Sequence, residues 1–263
     1  MSTKGFIRRF SAADLSFRRI AGTLLMPCLG AAVFSGCSFS FRSSPELEES
    51  VAFYKIQQYR LAIKPLTAAA EEGFSEAQFY LAICYRDGLG VDKNEEEAVK
   101  WFASASEMAH PDAKLELGKC CLAGIGTPKD PGKAVRLFRE AAIAGNAEAK
   151  YMLGVCYEKG EGVEQNLAEA VECLLKAADL GCPEAQFERG NRLYAARDFA
   201  EAAKWYRKAA EQDLPEAQYM LGLCIENGDG VRQDRKEAVK WYRKAADRGD
   251  ADALAALDRL KTE

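Results

Sequence analysis

Residues Glu148 to Pro183 read EAKYMLGVCYEKGEGVEQNLAEAVECLLKAADLGCP, and most of the chain consists of copies of this stretch. An acidic residue followed by alanine recurs at separations of 36, 36, 36, 32 and 36 residues. A fixed period of this length is typical of stacked supersecondary units, so we predict a repeat array. The acidic residues in this slot are Glu76, Asp112, Glu148, Glu184, Glu216 and Asp252.

Each full unit contains two helical patterns joined by a glycine-rich turn. Apolar residues from Met152 to Tyr157 recur at three- and four-residue spacing, which indicates a first helix that ends at Gly160–Gly162. Asn166 is a suitable N-cap for a second helix, with Glu169 three residues later to complete a capping box. We therefore predict an all-α fold, a right-handed superhelical solenoid of stacked two-helix repeats.

The period divides residues 45–263 into six units and a closing helix. The fifth unit is 32 residues long because it lacks the four residues of the Gly-x-Gly-Val turn, and the first unit has the same shorter length. The predicted units are residues 44–75, 76–111, 112–147, 148–183, 184–215 and 216–251, followed by a capping helix at 252–263.

One slot of the first helix holds only small residues, although glycine costs about 1 kcal/mol in a helix relative to alanine. We expect this slot to allow close approach of a second helix. The residues in it are Ala82, Gly118, Gly154, Gly190 and Gly222.

The most regular copy carries the motif Leu221-Gly222, Gly228-Asp229-Gly230-Val231, Asp234 and Ala238-Val239-Lys240-Trp241-Tyr242. This motif resembles the Sel-one-like repeat, a relative of the tetratricopeptide repeat, over about residues 44–263. The resemblance implies a concave groove, lined by the first helices, that binds a peptide or another protein.

By the same resemblance, three slots of the first helix face the groove. The alternative is that these side chains are partly buried between units, since aromatic residues at helical spacing are often core residues. The candidate groove residues are Phe79, Leu115, Tyr151, Phe187 and Tyr219, then Ile83, Lys119, Val155, Asn191 and Leu223, then Arg86, Leu122, Glu158, Tyr194 and Glu226.

The N-terminus has the layout of an export signal. Arg18-Arg19 precede an apolar run from Ile20 to Phe34, which is shorter than the roughly 20 residues of a membrane span. Phe34-Ser35-Gly36-Cys37 resembles the lipobox of bacterial lipoproteins, which implies a signal peptide at 1–36, a lipid on Cys37 and a tether at 37–44. The alternative is an uncleaved signal anchor. The resemblance to lipoproteins of bacteria with two membranes, with Ser38 rather than Asp after the cysteine, implies an outer-membrane location in the cell envelope, facing the periplasm.

Charge and composition argue against several other functions. The net charge is −4, and residues 1–36 carry +4 of their own, so the body is acidic and unsuited to nucleic acid. The Gly-x-Gly turns lack the Lys-Ser/Thr of a phosphate-binding loop, and His110 is the only histidine. We therefore expect no enzymatic activity, no catalytic residues, no cofactor and no metal.

The repeated cysteines fit a structural role. Cys84, Cys120, Cys156 and Cys224 share one slot of the first helix. Equivalent residues of stacked helices lie about 8–10 Å apart, beyond the roughly 7 Å limit between the α-carbons of a disulfide. We expect these cysteines to be reduced core residues.

The favoured hypothesis is a non-catalytic scaffold or adaptor, anchored in the envelope through the lipid on Cys37 alone, that binds a peptide or protein in the groove. One alternative is a structural envelope protein that associates with itself. Another is a hydrolase acting on cell-wall material, for which the sequence offers no constellation of catalytic residues.

Overall fold

The structure is a computed structural model that describes residues 45–262, with side chains from 47 to 261. The predicted signal peptide, Cys37 and the tether lie outside this range. The described residues form α-helices and no strand, which confirms the all-α prediction. None of these helices is both long and apolar enough to cross a membrane. They are α1 (Pro45–Lys55), α2 (Tyr59–Glu71), α3 (Ser75–Asp87), α4 (Glu95–Glu107), α5 (Pro111–Ala123), α6 (Pro131–Ile143), α7 (Ala147–Lys159), α8 (Leu167–Asp179), α9 (Pro183–Ala195), α10 (Phe199–Glu211), α11 (Pro215–Asn227), α12 (Arg235–Ala246) and α13 (Ala251–Thr262).

Consecutive helices pack in pairs, from α1 with α2 to α11 with α12, and each pair stacks on the next. The result is a right-handed superhelical solenoid, in which α13 packs against α12 at the C-terminal end. The odd-numbered helices are the first helices of the repeats, and we call their layer the inner layer, because the family resemblance implies that they line the groove. The even-numbered helices are the second helices, and we call their layer the outer layer.

Helix ends lie where the sequence predicts them. Gly160 follows α7 with a φ of 69°, a left-handed conformation that suits glycine, and its N–H donates to the carbonyl of Cys156. The side chain of Asn166 accepts from the N–H of Ala168 and Glu169 at the start of α8. The same kind of N-cap bond is made by Asn94, Asp130, Asp198 and Asp234.

The glycine slot brings the two helices of a unit into close contact, as predicted. A Cβ atom added to Gly118 would lie 2.5 Å from Cε1 of Phe138 in the facing helix. A Cβ atom added to Gly190 would lie 2.6 Å from Cε1 of Tyr206. Both rings are completely buried, so they have no free space into which to move.

Buried glutamines connect one unit with the next, a contact that the sequence analysis did not predict. Nε2 of Gln78 donates to the carbonyl of Ala70 at 3.0 Å, and Gln218 does the same to Ala210 at 3.1 Å. Each of these carbonyls lies near the C-terminal end of a second helix and also accepts from a following backbone N–H, that of Gly73 or Asp213. The glutamine therefore fastens that end to the first helix of the following unit.

The glycine slot gives a prediction for a matched pair of variants. Gly118→Ala should lose about 1–3 kcal/mol of stability by overpacking against Phe138. Gly154→Ala should lose less stability, because its Cβ would lie 3.1 Å from Leu174 and 3.2 Å from Cβ of Cys173, which need to shift by only a few tenths of an ångström, and alanine favours the helix. Urea denaturation of both variants measures this difference, and equal losses would contradict the packing.

Candidate functional site

Most of the candidate groove residues are accessible on the inner layer. The side chains of Glu158 and Asn191 are exposed. The half-buried candidates are Phe79, Ile83, Arg86, Lys119, Leu122, Tyr151, Val155, Phe187, Tyr194, Tyr219, Leu223 and Glu226.

Leu115 is an exception that corrects the sequence-based assignment. It is only 3% exposed and belongs to the same core cluster as Ala113 and Leu117. The other four residues of its slot are aromatic, and their longer side chains extend beyond the contact between helices. Leucine is shorter and ends within the core, so Leu115 offers no surface to a ligand.

The aromatic residues of this slot are supported by neighbouring rings. Phe79 stacks on His110 with ring centroids 4.8 Å apart, and Phe187 lies 5.9 Å from Tyr206. Tyr219 lies 5.7 Å from Tyr242. These three inner rings are therefore partly accessible and contact a second ring, and contacts of this kind restrict their orientation.

A series of polar contacts, here called the polar ladder, crosses the inner layer. Arg86 of α3 pairs with Glu116 of α5 at 2.6 Å. Lys119 of α5 pairs with the same Glu116 at 2.8 Å and with Glu148 of α7 at 2.6 Å. Three successive first helices are therefore joined by charges of alternating sign.

Tyrosine hydroxyls continue the polar ladder towards the C-terminal units. The hydroxyl of Tyr151 donates to Oε1 of Glu188 at 3.0 Å and so joins α7 to α9. Burial and this carboxylate raise the pKa of Tyr151, which keeps the phenol protonated as a donor. The hydroxyl of Tyr194 donates to Asp229, the middle residue of the turn after α11, at 2.9 Å.

The last step of the polar ladder joins α11 to α13. Arg259 pairs with Glu226 at 2.7 Å, and the hydroxyl of Tyr242 donates to the same carboxylate at 2.6 Å. Surface ion pairs are worth about 0–1 kcal/mol each, so the main effect of the polar ladder is to fix side-chain positions. Sequence analysis named Arg86, Lys119 and Tyr151 as groove residues but did not assign Glu116, Glu148 or Glu188 to the groove. Except for Lys119 and Glu116 on one helix, these partners lie about one repeat apart.

The cysteines of the described residues are buried and unpaired. Burial raises the pKa of Cys84, Cys120 and Cys156 to about 11. A thiol with such a pKa stays protonated near pH 7 and is a poor nucleophile. Among residues 45–262, no cluster of three or more His, Cys, Asp or Glu side chains could hold a metal ion.

His110 has a structural position at the start of α5. Its Nδ1 accepts from the N–H of Ala113 at 3.3 Å, which requires that nitrogen to be unprotonated. Burial lowers the pKa of His110. The ring therefore serves as an N-cap and as a support for Phe79.

Comparison with protein families gives a match over most of the repeat array. The family model described as Sel1 repeat, which is the Sel-one-like repeat, matches residues 75–110, 111–146, 147–182, 183–214 and 215–250. No curated protein matches the chain.

Solved structures share the fold. The crystal structure of a Sel1 repeat protein from Oxalobacter formigenes is 28% identical, covers 82% of this chain and 87% of its own, and has a TM-score of 0.65. Immunity protein Pa5087 from Pseudomonas aeruginosa is 20% identical over 81% of this chain and 89% of its own, with a TM-score of 0.56. Pseudomonas aeruginosa pilF is 16% identical, covers 82% of this chain and 95% of its own, and has a TM-score of 0.54. The last two similarities concern the fold alone.

The N-cap at His110 predicts a pH-dependent loss of stability. Because folding lowers the pKa of His110, protonation favours the unfolded chain, and stability should fall as the pH drops below about 6.5. Asn146 occupies the equivalent position one unit later and accepts from Ala149 at 2.7 Å without titrating. His110→Asn should therefore lose less stability than the parent between pH 7.5 and 5.5, by up to about 1 kcal/mol. Thermal denaturation at both pH values tests this, and identical losses would contradict the assigned cap.

Proposed function

Because this chain belongs to the Sel1 repeat family, whose members are in general scaffolds for protein interactions, we propose that it is a non-catalytic scaffold. Its binding site is the concave groove of the inner layer, and its ligand is an extended peptide or a protein surface. The observation that carries this proposal is the row of accessible side chains on successive first helices.

The chemistry of the groove suits an extended ligand. Ile83, Val155 and Leu223 share one slot and offer half-buried apolar contacts on three of the first helices. Successive helices lie about 8–10 Å apart, close to the length of three residues of extended chain. The polar ladder runs through the same layer and supplies hydrogen-bonding groups for a peptide backbone. A groove whose side chains are already held in place loses less conformational entropy when it binds.

The described residues support a binding role without catalysis. The thiols are buried with raised pKa values, and the single histidine of the chain caps a helix. Several groove carboxylates, including Glu116 and Glu226, are paired with cations of neighbouring helices. A general base or nucleophile needs a free and activated side chain, so these groups are better suited to holding the groove in shape.

Photo-crosslinking tests the location of the binding site. A benzophenone amino acid at Val155 or Leu223 of the full chain should give a discrete crosslinked protein in the cell of origin. Lys100 and Lys240 lie exposed on the outer helices α4 and α12 and serve as control positions. Crosslinking only from the controls would place the ligand outside the groove, and equal crosslinking from all four positions would contradict a site confined to the groove.

We also propose that the scaffold is anchored in the bacterial cell envelope by a lipid on Cys37, at the outer membrane and facing the periplasm. The support is the basic region, the apolar run and Ser35-Gly36 before the cysteine. The seven residues from Ser38 to Ser44 would separate the anchor from α1.

A pair of cysteine variants tests the anchor. In a bacterial host with two membranes, the parent should fractionate with the outer membrane and incorporate labelled palmitate. Cys37→Ser should lose the label and leave the outer-membrane fraction, because the lipid has no other attachment. Cys28→Ser, which changes the cysteine after Pro27, should behave as the parent does. Retention of the label in Cys37→Ser would disprove the assignment.

A further inference from the structure

The Gly-x-Gly turns have a second role besides ending the first helices. A Cβ atom added to Gly126 would lie 2.2 Å from the carbonyl oxygen of Glu95, the first residue of α4 in the preceding unit. A Cβ atom added to Gly162 would likewise lie 2.2 Å from the carbonyl oxygen of Pro131 at the start of α6. Each turn therefore covers the N-terminal end of an outer helix. The turn glycines that contact an outer helix are Gly90 against α2, Gly126 against α4, Gly162 against α6 and Gly230 against α10.

The outer helix α8 has no such cover. The next unit is the 32-residue unit, in which α9 ends at Ala195 and α10 begins at Phe199 without a Gly-x-Gly turn. Leu167, Val171 and Leu175 lie at four-residue spacing on α8 and are 61%, 39% and 38% exposed. These three residues form one apolar stripe, which we call the open face of α8.

The missing turn explains this exposure. Val135 occupies in α6 the slot that Val171 occupies in α8, and it is 3% exposed against 39% for Val171. Val163, from the turn seated on α6, packs against the core cluster that contains Val135. In this slot Val135 is buried under a turn and Val171 is exposed without one, whereas Val99 of α4, under the turn of Gly126, is half-buried.

We propose that the open face of α8 is a docking site for a turn of another protein with the sequence Gly-x-Gly-Val or Gly-x-Gly-Thr. The chain itself shows what fits this surface, because its four turns end in β-branched residues, Val91, Thr127, Val163 and Val231. The second glycine is required, since it has a positive φ and lies against the helix backbone. The site lies in the outer layer and does not depend on the groove.

Charge selects the middle residue of the docking turn. The turn that covers α10 has Asp229 between its two glycines, and Asp229 accepts from the hydroxyl of Tyr194 on α9, the partner helix of α10. On α7, the partner helix of α8, the position equivalent to Tyr194 is Glu158, whose side chain is exposed. A carboxylate at this position is complementary to a cation, so the docking turn has Lys or Arg between its two glycines.

A second copy of the chain fits this site less well than a different protein does. All four Gly-x-Gly turns of the chain are already seated on its own outer helices. Their middle residues are Leu89, Ile125, Glu161 and Asp229, none of which carries the positive charge that Glu158 favours.

Peptide binding to the full chain tests the proposal. The probe is a capped peptide with the sequence of residues 159–166 and the change Glu161→Lys. Titration up to millimolar concentration should give saturable shifts of the methyl signals of Leu167 and Val171 in carbon-13 NMR spectra. A control peptide that also carries Gly162→Ala should bind at least about tenfold more weakly, because its added methyl group meets the helix backbone.

A variant of the protein provides the matched control. Replacing Ala196-Arg197 by the six residues found at Gly228–Gln233, with the change Asp229→Lys, restores a 36-residue unit. Its own turn then carries the cation that Glu158 favours and should cover α8. This variant should keep the helical content of the parent and lose the peptide-induced shifts.

Three results would overturn the proposal. They are absence of shifts at millimolar peptide, equal binding of the alanine peptide, and unchanged binding by the variant with the restored turn. Analytical ultracentrifugation tests whether a second copy of the chain occupies the open face instead. If the parent forms a dimer and the variant with the restored turn does not, the open face is assigned to a second copy. The crosslinking experiment at Val155 tests the groove, and the peptide titration tests the open face of α8. A failure of the first would leave the result of the second unaffected.

Discussion

In three of the units, the contact between a glycine of the first helix and a buried ring of the second helix determines how closely the two helices approach. At Gly118 and Gly190 there is no room for even one methyl group beneath Phe138 and Tyr206. The two helices can approach closely only because one of them has no side chain at this point. The angle and distance within a unit follow from that contact, and the stacking of units repeats it. The positions of the inner-layer side chains in these units therefore depend on it.

The inner layer combines stability and accessibility in the same residues. Tyr151 fixes α7 to α9 through Glu188, and Phe79 rests on His110, yet both side chains remain half-buried at the groove. A ligand in the groove would meet side chains that are already held by intramolecular contacts. Such a surface is ordered before binding, which favours a defined ligand conformation over adaptation to many partners.

The sequence predicted the features that belong to a single repeat. The helix pairs, the N-caps such as Asn166 and the close approach at the glycine slot all follow from local periodicity and turn chemistry. The contacts between repeats were not predictable in the same way. Gln218 donates to a carbonyl of the preceding unit, and Lys119 pairs with Glu148 of the next unit. Such contacts depend on how the units are stacked. The burial of Leu115 and the exposure of Val171 also required the packed structure, since residues of the same slot differ only in their surroundings.

The turn missing from the fifth unit also affects how cooperatively the array unfolds. A stacked array is held together by contacts between neighbouring units, and its unfolding is cooperative only where those contacts are strong. The large core clusters extend from α3 to α8 on one side and from α10 to α13 on the other, and a small cluster that includes Ala178 and Cys182 lies between them. The junction of α8 and α9 is therefore held by the smallest of these clusters. Tension along the chain, or a low concentration of denaturant, should separate the units there into two blocks that exchange amide hydrogens independently.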